Sequence, residues 1–173
     1  MDEIHLDIKK IFRDAMATLG AGVNVITTNG PAGKCGLTAT AVVSITDSPP
    51  TMMVSINRNS ATNETFKENT RMAVNILTAE QQLVAEYFGG MHPVSMEERF
   101  EKFEFAEGRG GLPILKNAIA NLEGSIVATH EVGTHTLFII ELDNMQIKDD
   151  GDALIYFNRG FHSLPREQKT QPK

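Results

Sequence analysis

The last third of the chain is the part of the sequence that most constrains the fold. Three β-rich segments follow one another there with no helical pattern between them, at 118–129, 134–148 and 153–157. A doubly wound α/β fold alternates each strand with a helix, so this order excludes that fold. The sequence therefore predicts a mainly β fold of the antiparallel barrel or sandwich type.

The rest of the chain adds further strands and a few short helices. Apolar residues recur at helical spacing over 4–19, which predicts an amphipathic helix. Asn63 is placed to cap a short helix over 64–69, and the capping-box patterns that begin at Thr78 and Ser95 each predict another helix. The further predicted strands are 23–28, 37–46, 51–57 and 72–77.

Length and charge restrict the class of protein. At 173 residues the chain is long enough for one domain, which we assign to 1–164, with a polar tail at 165–173. The net charge of −6 disfavours nucleic acid as a partner, because phosphate backbones are bound by basic surfaces. No apolar stretch reaches the about 18 residues that span a bilayer, and the N-terminal segment has no secretory-type apolar core. We therefore expect a cytoplasmic protein that does not enter a membrane.

Several common catalytic and metal-binding signatures are absent from the sequence. Gly20 and Gly22 follow a helix and lack the third glycine of a dinucleotide fingerprint, and neither a P-loop nor a nucleophile elbow occurs. His130 and His135 lack the arrangement of a zincin site, and one cysteine cannot form a Cys-based cluster, so we expect no metal. That residue, Cys35, is either an unpaired thiol or, given a nearby base, a nucleophile.

The segment 36–63 holds the densest set of candidate binding residues. They are Thr38, Ala39, Thr40 and Ala41 on one side of the Pro49-Pro50 turn, and Asn57, Asn59, Ser60, Thr62 and Asn63 on the other. Small side chains leave backbone N–H groups accessible, and a polar loop that opens a helix favours an anion, to which Arg58 would add a charge. The segment therefore suits a flat ligand that carries a phosphate. The alternative is an ordinary strand and a polar loop with a helix cap.

Two more clusters lie in the last 40 residues. His135 stands at the start of an apolar segment, where a histidine is either a hydrogen-bonded structural residue or a site residue. The stretch 155–162 interleaves aromatic residues with Arg159 and His162. It is either a final strand and turn at the edge of the core or an aromatic and cationic lid over a planar ligand.

Together these clusters resemble the short-chain flavin reductase family, the reductase components of two-component flavin monooxygenases. The resemblance covers nearly the whole chain, and it depends on the order and spacing of the matching stretches rather than on one motif. Those stretches are 12–16, 23–28, 36–44, 48–50, 55–57, 59–60, 72–77, 98–100, 133–135 and 156–162. Thr134 replaces the aspartate of the family's commoner Gly-Asp-His triplet.

The resemblance implies a split β-barrel of the Greek-key, FMN-binding type that binds flavin at a homodimer interface. The flavin ring and ribityl groups would face Thr38, Ala39, Thr40, Ala41 and Ser44. The flavin phosphate would face Asn57, Asn59, Ser60 and Thr62. His135 would be the catalytic residue beside the nicotinamide, and the site would be closed by Phe157, Arg159 and His162.

The implied function is an NAD(P)H:flavin oxidoreductase that reduces FAD or FMN by hydride transfer from NADH, or alternatively from NADPH. Reduced flavin would then reach a separate monooxygenase component, which would hydroxylate an aromatic substrate. Two other functions stay open at this point. One is a non-catalytic flavin- or haem-binding split-barrel protein. The other is a flavin-dependent oxidase of the pyridoxamine-phosphate type, which the net charge of −6 supports poorly because a substrate phosphate needs basic residues.

Overall fold

The computed structural model describes residues 2–167, and the side chains from residue 7 onward, so most of the predicted tail at 165–173 lies outside the described residues. The helices are α1 (Asp2–Ala17), α2 (Asn63–Asn69), α3 (Gln82–Phe88) and α4 (Met96–Lys102), with 3-10 turns at Ala79–Gln81 and Arg109–Gly111. The strands are β1 (Ala21–Gly22), β2 (Asn24–Thr28), β3 (Cys35–Ala39), β4 (Val42–Asp47), β5 (Pro50–Asn57), β6 (Arg71–Ile76), β7 (Phe105–Glu107), β8 (Pro113–Leu115), β9 (Ala120–Val132), β10 (His135–Ile147), β11 (Ala153–Phe157) and β12 (Gly160–Leu164).

The described chain is mainly β, which confirms the predicted class. A seven-stranded sheet has the order β3-β2-β6-β9-β10-β5-β4, and each neighbouring pair is antiparallel. A three-stranded sheet joins β1, β11 and β12, and β7 pairs with β8. The segments predicted at 118–129 and 134–148 form the long hairpin β9–β10 at the centre of the large sheet.

The large sheet is strongly curled, because its two edge strands are neighbours in sequence. In a flat sheet, seven strands at about 4.8 Å spacing would place β3 and β4 about 29 Å apart. The chain nevertheless passes from Ala39 to Val42 across three Cα steps, which span at most about 11 Å. Val42 N–H donates to the Thr40 carbonyl at 2.9 Å, and Ser55 N–H of β5 donates to the Ala41 carbonyl at 3.0 Å. The prediction of one continuous strand over 37–46 is therefore wrong, since a tight turn at Thr40 interrupts it.

The main core lies on one face of this sheet, as the alternation of buried residues shows. Met52, Val54 and Ile56 of β5 are buried while their neighbours are partly exposed, which is the period-two pattern of a strand with one covered face. Phe66 of α2 packs edge-to-face against Phe138 of β10, with ring centroids 6.2 Å apart. Both rings are fully buried, and burying each stabilises the fold by about 1.5–3 kcal/mol.

A second core, which includes Val23, Val84, Phe88 and Phe100, holds α3 and α4 against the body of the molecule. Both capping-box patterns open helical turns as predicted. Thr78 N–H donates to Gln81 Oε1 at 3.1 Å ahead of the 3-10 turn that leads into α3. At α4, Glu98 N–H donates to Ser95 Oγ at 3.1 Å, and Ser95 N–H donates to Glu98 Oε2 at 2.7 Å.

Two helix ends differ from the sequence prediction. The residue at the N-cap position of α2 is Thr62, whereas Asn63 is the first helical residue and is fully buried. Asn63 Nδ2 instead donates to the Ile56 carbonyl at 3.3 Å and to Thr136 Oγ1 at 3.2 Å. The side chain that the sequence pattern assigned to capping therefore bonds to a strand that is distant in the sequence. The first helix is confirmed but ends at Ala17. None of the helices within residues 2–167 is both long and apolar enough to cross a membrane.

Candidate functional site

A cleft of about 530 Å³ opens where the link between β3 and β4, the loop after β5 and the C-terminal end of α3 meet. Cavities of this size hold small ligands and cofactors. The cleft brings together most of the residues predicted from the sequence, namely Thr38, Ala39, Thr40, Ala41, Asn57, Ser60, Thr62 and His135. Segments that are far apart in the chain therefore form one site.

The wall formed by 36–41 depends on close backbone packing against α3. Thr38 Oγ1 donates to the Ala85 carbonyl at 2.7 Å, so this hydroxyl proton fixes β3 to α3 and only its oxygen lone pairs are left for a ligand. A Cβ at Gly36 would lie 3.0 Å from the Phe88 ring, and one at Gly89 would lie 2.9 Å from the Ala85 carbonyl. The small residues here keep the wall flat and its backbone accessible.

The opposite wall is the polar loop after β5. Asn59 N–H donates to Asn57 Oδ1 at 2.9 Å, a local bond that shapes the turn. Ser60 Oγ and Thr62 Oγ1 are 2.7 Å apart, and both residues line the cleft. Asn59 is exposed and lies outside the lining. The loop therefore presents a pair of adjacent hydroxyls to the cleft. One of them donates to the other, which leaves one O–H to donate to an oxyanion.

Arg58 does not line the cleft, contrary to the expectation that it adds charge to the loop's anion site. Its Nε lies 2.9 Å from Glu131 Oε2, and its Nη1 donates to the Gly133 carbonyl at 3.2 Å. The guanidinium is therefore occupied by the β9–β10 hairpin.

His135 enters the cleft from the first position of β10, opposite Asn57 of β5. Its Nδ1 lies 2.9 Å from Thr134 Oγ1, the hydroxyl that stands where the commoner family pattern has aspartate. A hydroxyl either donates to or accepts from this nitrogen, whereas a carboxylate only accepts. Nε2 of the ring takes part in no hydrogen bond among the described residues, so it is free to meet a ligand.

Arg99 is a site residue that the sequence analysis did not select. It lies three residues after Met96 in α4, which puts both side chains on one face of the helix and both in the cleft. Arg99 is the one Lys or Arg among the described residues that line the cleft. Its Nε is buried, and within the described residues no acceptor bonds it. Arg71 Nε is unpaired in the same way, but the Arg71 guanidinium pairs with Asp143, whereas the described residues give the Arg99 side chain no partner. An unpaired guanidinium in a cleft is a candidate ligand for an anion.

The signal for Arg99 was present in the sequence. Ser95 opens a helix through its capping box, and Phe100 is the buried residue of that helix. Residue 99 then lies about 100° around the helix from Phe100, beside the buried stripe rather than on the solvent face. A cation at the border of a buried helical stripe is a candidate phosphate-binding residue.

The remaining predicted residues lie away from the main cleft. Arg159 lines a neighbouring depression of about 310 Å³ with Tyr156 and Phe161, and this depression shares Thr38, Thr40 and Gly89 with the cleft. Within the described chain, neither Phe157 nor His162 lines either cavity; His162 Nε2 lies 3.1 Å from the Phe157 carbonyl. Ser44 is exposed on β4, beyond the turn.

Arg159 belongs to the stretch for which the sequence allows either a final strand and turn or a lid, and the structure forms a hairpin there. Asn158 and Arg159 form the two-residue turn between β11 and β12, both with positive φ, which is unusual for arginine. Arg159 Nη2 donates to Asp14 Oδ1 of α1 at 2.6 Å. Lys10 and Arg159 hold the pKa of Asp14 below its ordinary value by hydrogen bonding to its carboxylate.

Cys35 is a structural residue rather than a nucleophile. Burial raises the pKa of its thiol to about 11, so it is protonated at neutral pH. Within residues 2–167, no group of three or more His, Cys, Asp or Glu side chains is arranged to hold a metal ion.

Comparison with known proteins agrees with this geometry. The family model described as "Flavin reductase like domain" matches residues 16–165. The chain is 54% identical over 156 residues to the 4-hydroxyphenylacetate 3-monooxygenase reductase component of Pseudomonas aeruginosa, covering 90% of this chain and 92% of that protein. It is 43% identical to the NADH-dependent FMN reductase RutF of Enterobacter cloacae, covering 91% of this chain and 95% of that protein.

Solved structures give the same result. The flavin reductase PheA2 superposes with a TM-score of 0.81 at 33% identity, covering 91% of this chain and 98% of that one. The match of the family model extends over most of the sequence and includes the residues from the β3–β4 link to the β11–β12 hairpin. The chain therefore belongs to the flavin reductase like domain family.

Proposed function

We propose that this protein is an NAD(P)H-dependent flavin reductase that reduces FAD or FMN and supplies the reduced flavin to a separate monooxygenase component. The observation that carries the proposal is the composition of the main cleft. It combines a flat wall of small residues, a pair of hydroxyls on Ser60 and Thr62, and the partnerless buried Nε of Arg99. A flat ring with a phosphate arm matches this set, so the residues present fit a flavin.

Each wall of the cleft has its own role in this proposal. The backbone of 38–41 faces the ring, and Ser60, Thr62 and Arg99 hold the phosphate. Bound flavin supplies the hydride acceptor, which no side chain of the protein provides. The protein contributes alignment, which lowers the barrier by several kcal/mol when two reactants are held in a reactive geometry.

His135 is proposed as the residue that positions the nicotinamide. Its Nε2 is free for a donor or acceptor contact, and Thr134 orients the ring through Nδ1. Because hydride transfer needs no side-chain acid or base, loss of His135 reduces the rate without abolishing it. The relatives named for NADH favour NADH over NADPH as the hydride donor.

The oxygenase partner is proposed from the same resemblance. Several of the most similar relatives are named as reductase components of 4-hydroxyphenylacetate 3-monooxygenase, at 47–54% identity. We propose that the reduced flavin of this protein serves an aromatic hydroxylation of that class, by diffusion to the oxygenase. We propose the cytoplasm as the location, because it holds the NADH pool and keeps an unpaired thiol such as that of Cys35 reduced.

The fold detail and the assembly are also proposals. The short link between the two edges of the curled sheet supports a split β-barrel of the Greek-key, FMN-binding type over one domain, 1–164. A homodimer is supported by the exposed apolar side of α1, where Ile8, Ile11, Phe12, Met16 and Leu19 are 47–64% exposed. A second copy that covers this side would also adjoin Phe157 and His162, since Asn158 N–H donates to the Ala17 carbonyl at the end of α1.

The test is a turnover assay with the purified chain, NADH and free FAD or FMN, followed at the nicotinamide absorbance band. The proposal predicts catalytic loss of NADH that depends on added flavin. Flavin binding without NADH consumption would instead support the non-catalytic binding protein. Supplying pyridoxamine phosphate in place of NADH, with flavin and oxygen present, tests the oxidase alternative, for which we expect no turnover.

A further inference from the structure

The two sides of the main cleft come from different parts of the chain, and Arg58 joins them. Arg58 N–H donates to the Thr134 carbonyl at 2.8 Å, and its Nη1 donates to the Gly133 carbonyl at 3.2 Å. Arg58 lies in the phosphate-side loop, whereas Gly133 and Thr134 form the turn that leads into His135. The distance between the hydroxyl pair and His135 therefore depends on these contacts, in addition to the β5–β10 ladder that pairs Asn57 with His135.

The Glu131 carboxylate holds the Arg58 side chain in this position. Its Oε2 lies 2.9 Å from Arg58 Nε, and its Oε1 lies 3.0 Å from Lys67 Nζ of α2. Thr136, the cross-strand partner of Glu131, donates from Oγ1 to the same carboxylate at 3.0 Å. The pKa of Glu131 lies below its ordinary value. The main cause is the hydrogen bond from Lys67, and the Thr136 hydroxyl and the charge of Arg58 add to it.

The contacts continue from the surface into the core. Thr136 is fully buried and accepts a hydrogen bond from Asn63 Nδ2 at 3.2 Å. Asn63 Nδ2 also lies 3.3 Å from the Ile56 carbonyl, at the end of β5 from which the loop begins. We call these five residues, Arg58, Asn63, Lys67, Glu131 and Thr136, the Glu131 network.

The ion pairs of this network contribute little to global stability. The side chains of Arg58 and Glu131 are 52% and 41% exposed, and exposed pairs typically contribute about 0–1 kcal/mol. Their effect is local, because a single carboxylate is bonded from the loop, from α2 and from β10 at once. Such a convergent arrangement restricts the relative motion of these elements even when each contact is weak.

We propose that Glu131 is a positioning residue that fixes the loop 57–63 to the turn 133–135, and so sets the distance between the phosphate side of the cleft and His135. The consequence for hydride transfer rests on the proposed function. The coupling of the two segments does not, because it is a property of the flavin-free chain.

The first test uses amide hydrogen exchange on the flavin-free protein, with Glu131→Gln and Glu131→Ala compared with Glu141→Gln. Glu141 is an exposed carboxylate of β10 that makes no side-chain hydrogen bond among the described residues. We expect exchange to increase about two- to tenfold in both segments, 57–63 and 133–135, in the Glu131 variants but not in the control. Gln keeps an acceptor for Thr136, so it should have the smaller effect. Faster exchange in only one segment, or in neither, would overturn the proposal.

The second test separates positioning from direct ligand binding. Arg58→Met should also increase exchange in 133–135 of the flavin-free protein. If it instead weakens flavin binding and leaves that exchange unchanged, Arg58 is a phosphate ligand and the proposal is wrong.

The third test is a double-mutant cycle on NADH turnover at saturating flavin. The loss of kcat/KM for NADH caused by His135→Ala should be about two- to fivefold smaller in the Glu131→Ala background than in the wild type, because His135 is already misplaced there. Additive losses would contradict the coupling. Absence of turnover in the wild type would refute the proposed function, while the exchange results would still decide the role of Glu131.

Discussion

The main cleft and the region around α1 differ in whether their large apolar side chains are buried or exposed. In the cleft, polar side chains are held by short-range bonds within the loop after β5 and by the bond of Thr38 to α3, and the apolar residues beneath them are buried, as with Ile56 and Phe138. Around α1, large apolar side chains such as Phe12 and Ile11 are exposed. Polar contacts through Asp14 and the Ala17 carbonyl attach the helix to the β11–β12 hairpin.

The difference shows what one copy of the chain can complete by itself. The two walls of the cleft, the proposed phosphate side and the His135 side, are formed within one copy. The lid predicted from Phe157 and His162 is not formed over the cleft, and it adjoins the exposed apolar surface. We therefore expect that a second copy completes the α1 side, and that variants on the two sides fail in different assays.

The largest effect should come from α1. Phe12 is 63% exposed in the single chain. Phe12→Glu places a charge at this position, and we expect it to raise the dimer dissociation constant at least about 100-fold. In a twofold-symmetric interface both copies lose a buried ring worth about 1.5–3 kcal/mol. Sedimentation velocity over a concentration series measures this, with Lys9→Glu as the matched control. A monomeric wild type would contradict the proposed assembly.

The next effect compares two phenylalanines. Phe66→Ala removes a fully buried ring and should lower the free energy of unfolding by about 3–5 kcal/mol. Phe157 is 43% exposed, so Phe157→Ala in the Phe12→Glu background should lower it by less than about 1.5 kcal/mol. Urea unfolding curves followed by circular dichroism measure both changes. Equal losses would mean that the α1 side is as well packed as the core.

Arg99→Met tests the anion-binding side of the cleft. Loss of a charge-assisted hydrogen bond of about 1.5–3 kcal/mol should weaken FMN binding about 10- to 100-fold. Flavin fluorescence quenching measures the dissociation constant. Lys102→Met removes the same charge from the same helix without touching the cleft, so its dissociation constant should stay within about twofold of wild type. Equal weakening in both variants would indicate a general charge effect.

Ser60→Ala should give a smaller change on the same side. It removes one neutral donor of the hydroxyl pair, worth about 1 kcal/mol, so FMN binding should weaken about fivefold. The same fluorescence titration applies, and Ser163→Ala on the exposed strand β12 is the control. Unchanged FMN binding in Ser60→Ala would mean that the hydroxyl pair does not contact the phosphate.

The smallest effect concerns Asp14, whose folded pKa is lower than its unfolded value. The contribution of Asp14 to the free energy of unfolding is therefore present above the unfolded pKa and is lost as the pH falls through the folded pKa. A carboxyl carbon NMR titration should place the midpoint of Asp14 below that of an unstructured aspartate. Lys10→Met should raise this midpoint more than Arg159→Met, because the Lys10 hydrogen bond is the larger cause. An unchanged midpoint in both variants would contradict the assigned contacts.

Local patterns in the sequence predicted most of the strands and helices. The β-branched runs of β5 and β6 and the capping boxes at Thr78 and Ser95 act over a few residues, so they can be recognised without the fold. The break at Thr40 could not be, because 38–44 has uniform strand character and the turn follows from the curvature of a seven-stranded sheet. Asn63 was misassigned for a related reason, since its partner Thr136 is 73 residues away.

For the candidate site, the sequence selected many of the residues that line the main cleft. The cleft is shared by His135 and most of the candidates within 36–63, but not by Ser44 or Asn59, and their roles toward a flavin stay predictions. The relation of Ser44, Phe157 and His162 to a ligand stays a prediction, because a second copy is needed to test it. Arg99 was missed because a charged residue in a short helix is usually a surface residue, and its position beside Phe100 is a weak signal until the structure places it in the cleft.

The most direct test of the account is a crystal structure of the protein with FMN. We predict density for the flavin ring along 38–41, with its phosphate against Ser60, Thr62 and Arg99. The alternative location is a groove of about 450 Å³, whose lining holds Lys34 and Lys116 but also Glu104 and Glu107. Flavin bound in that groove, with the main cleft free of it, would contradict the account.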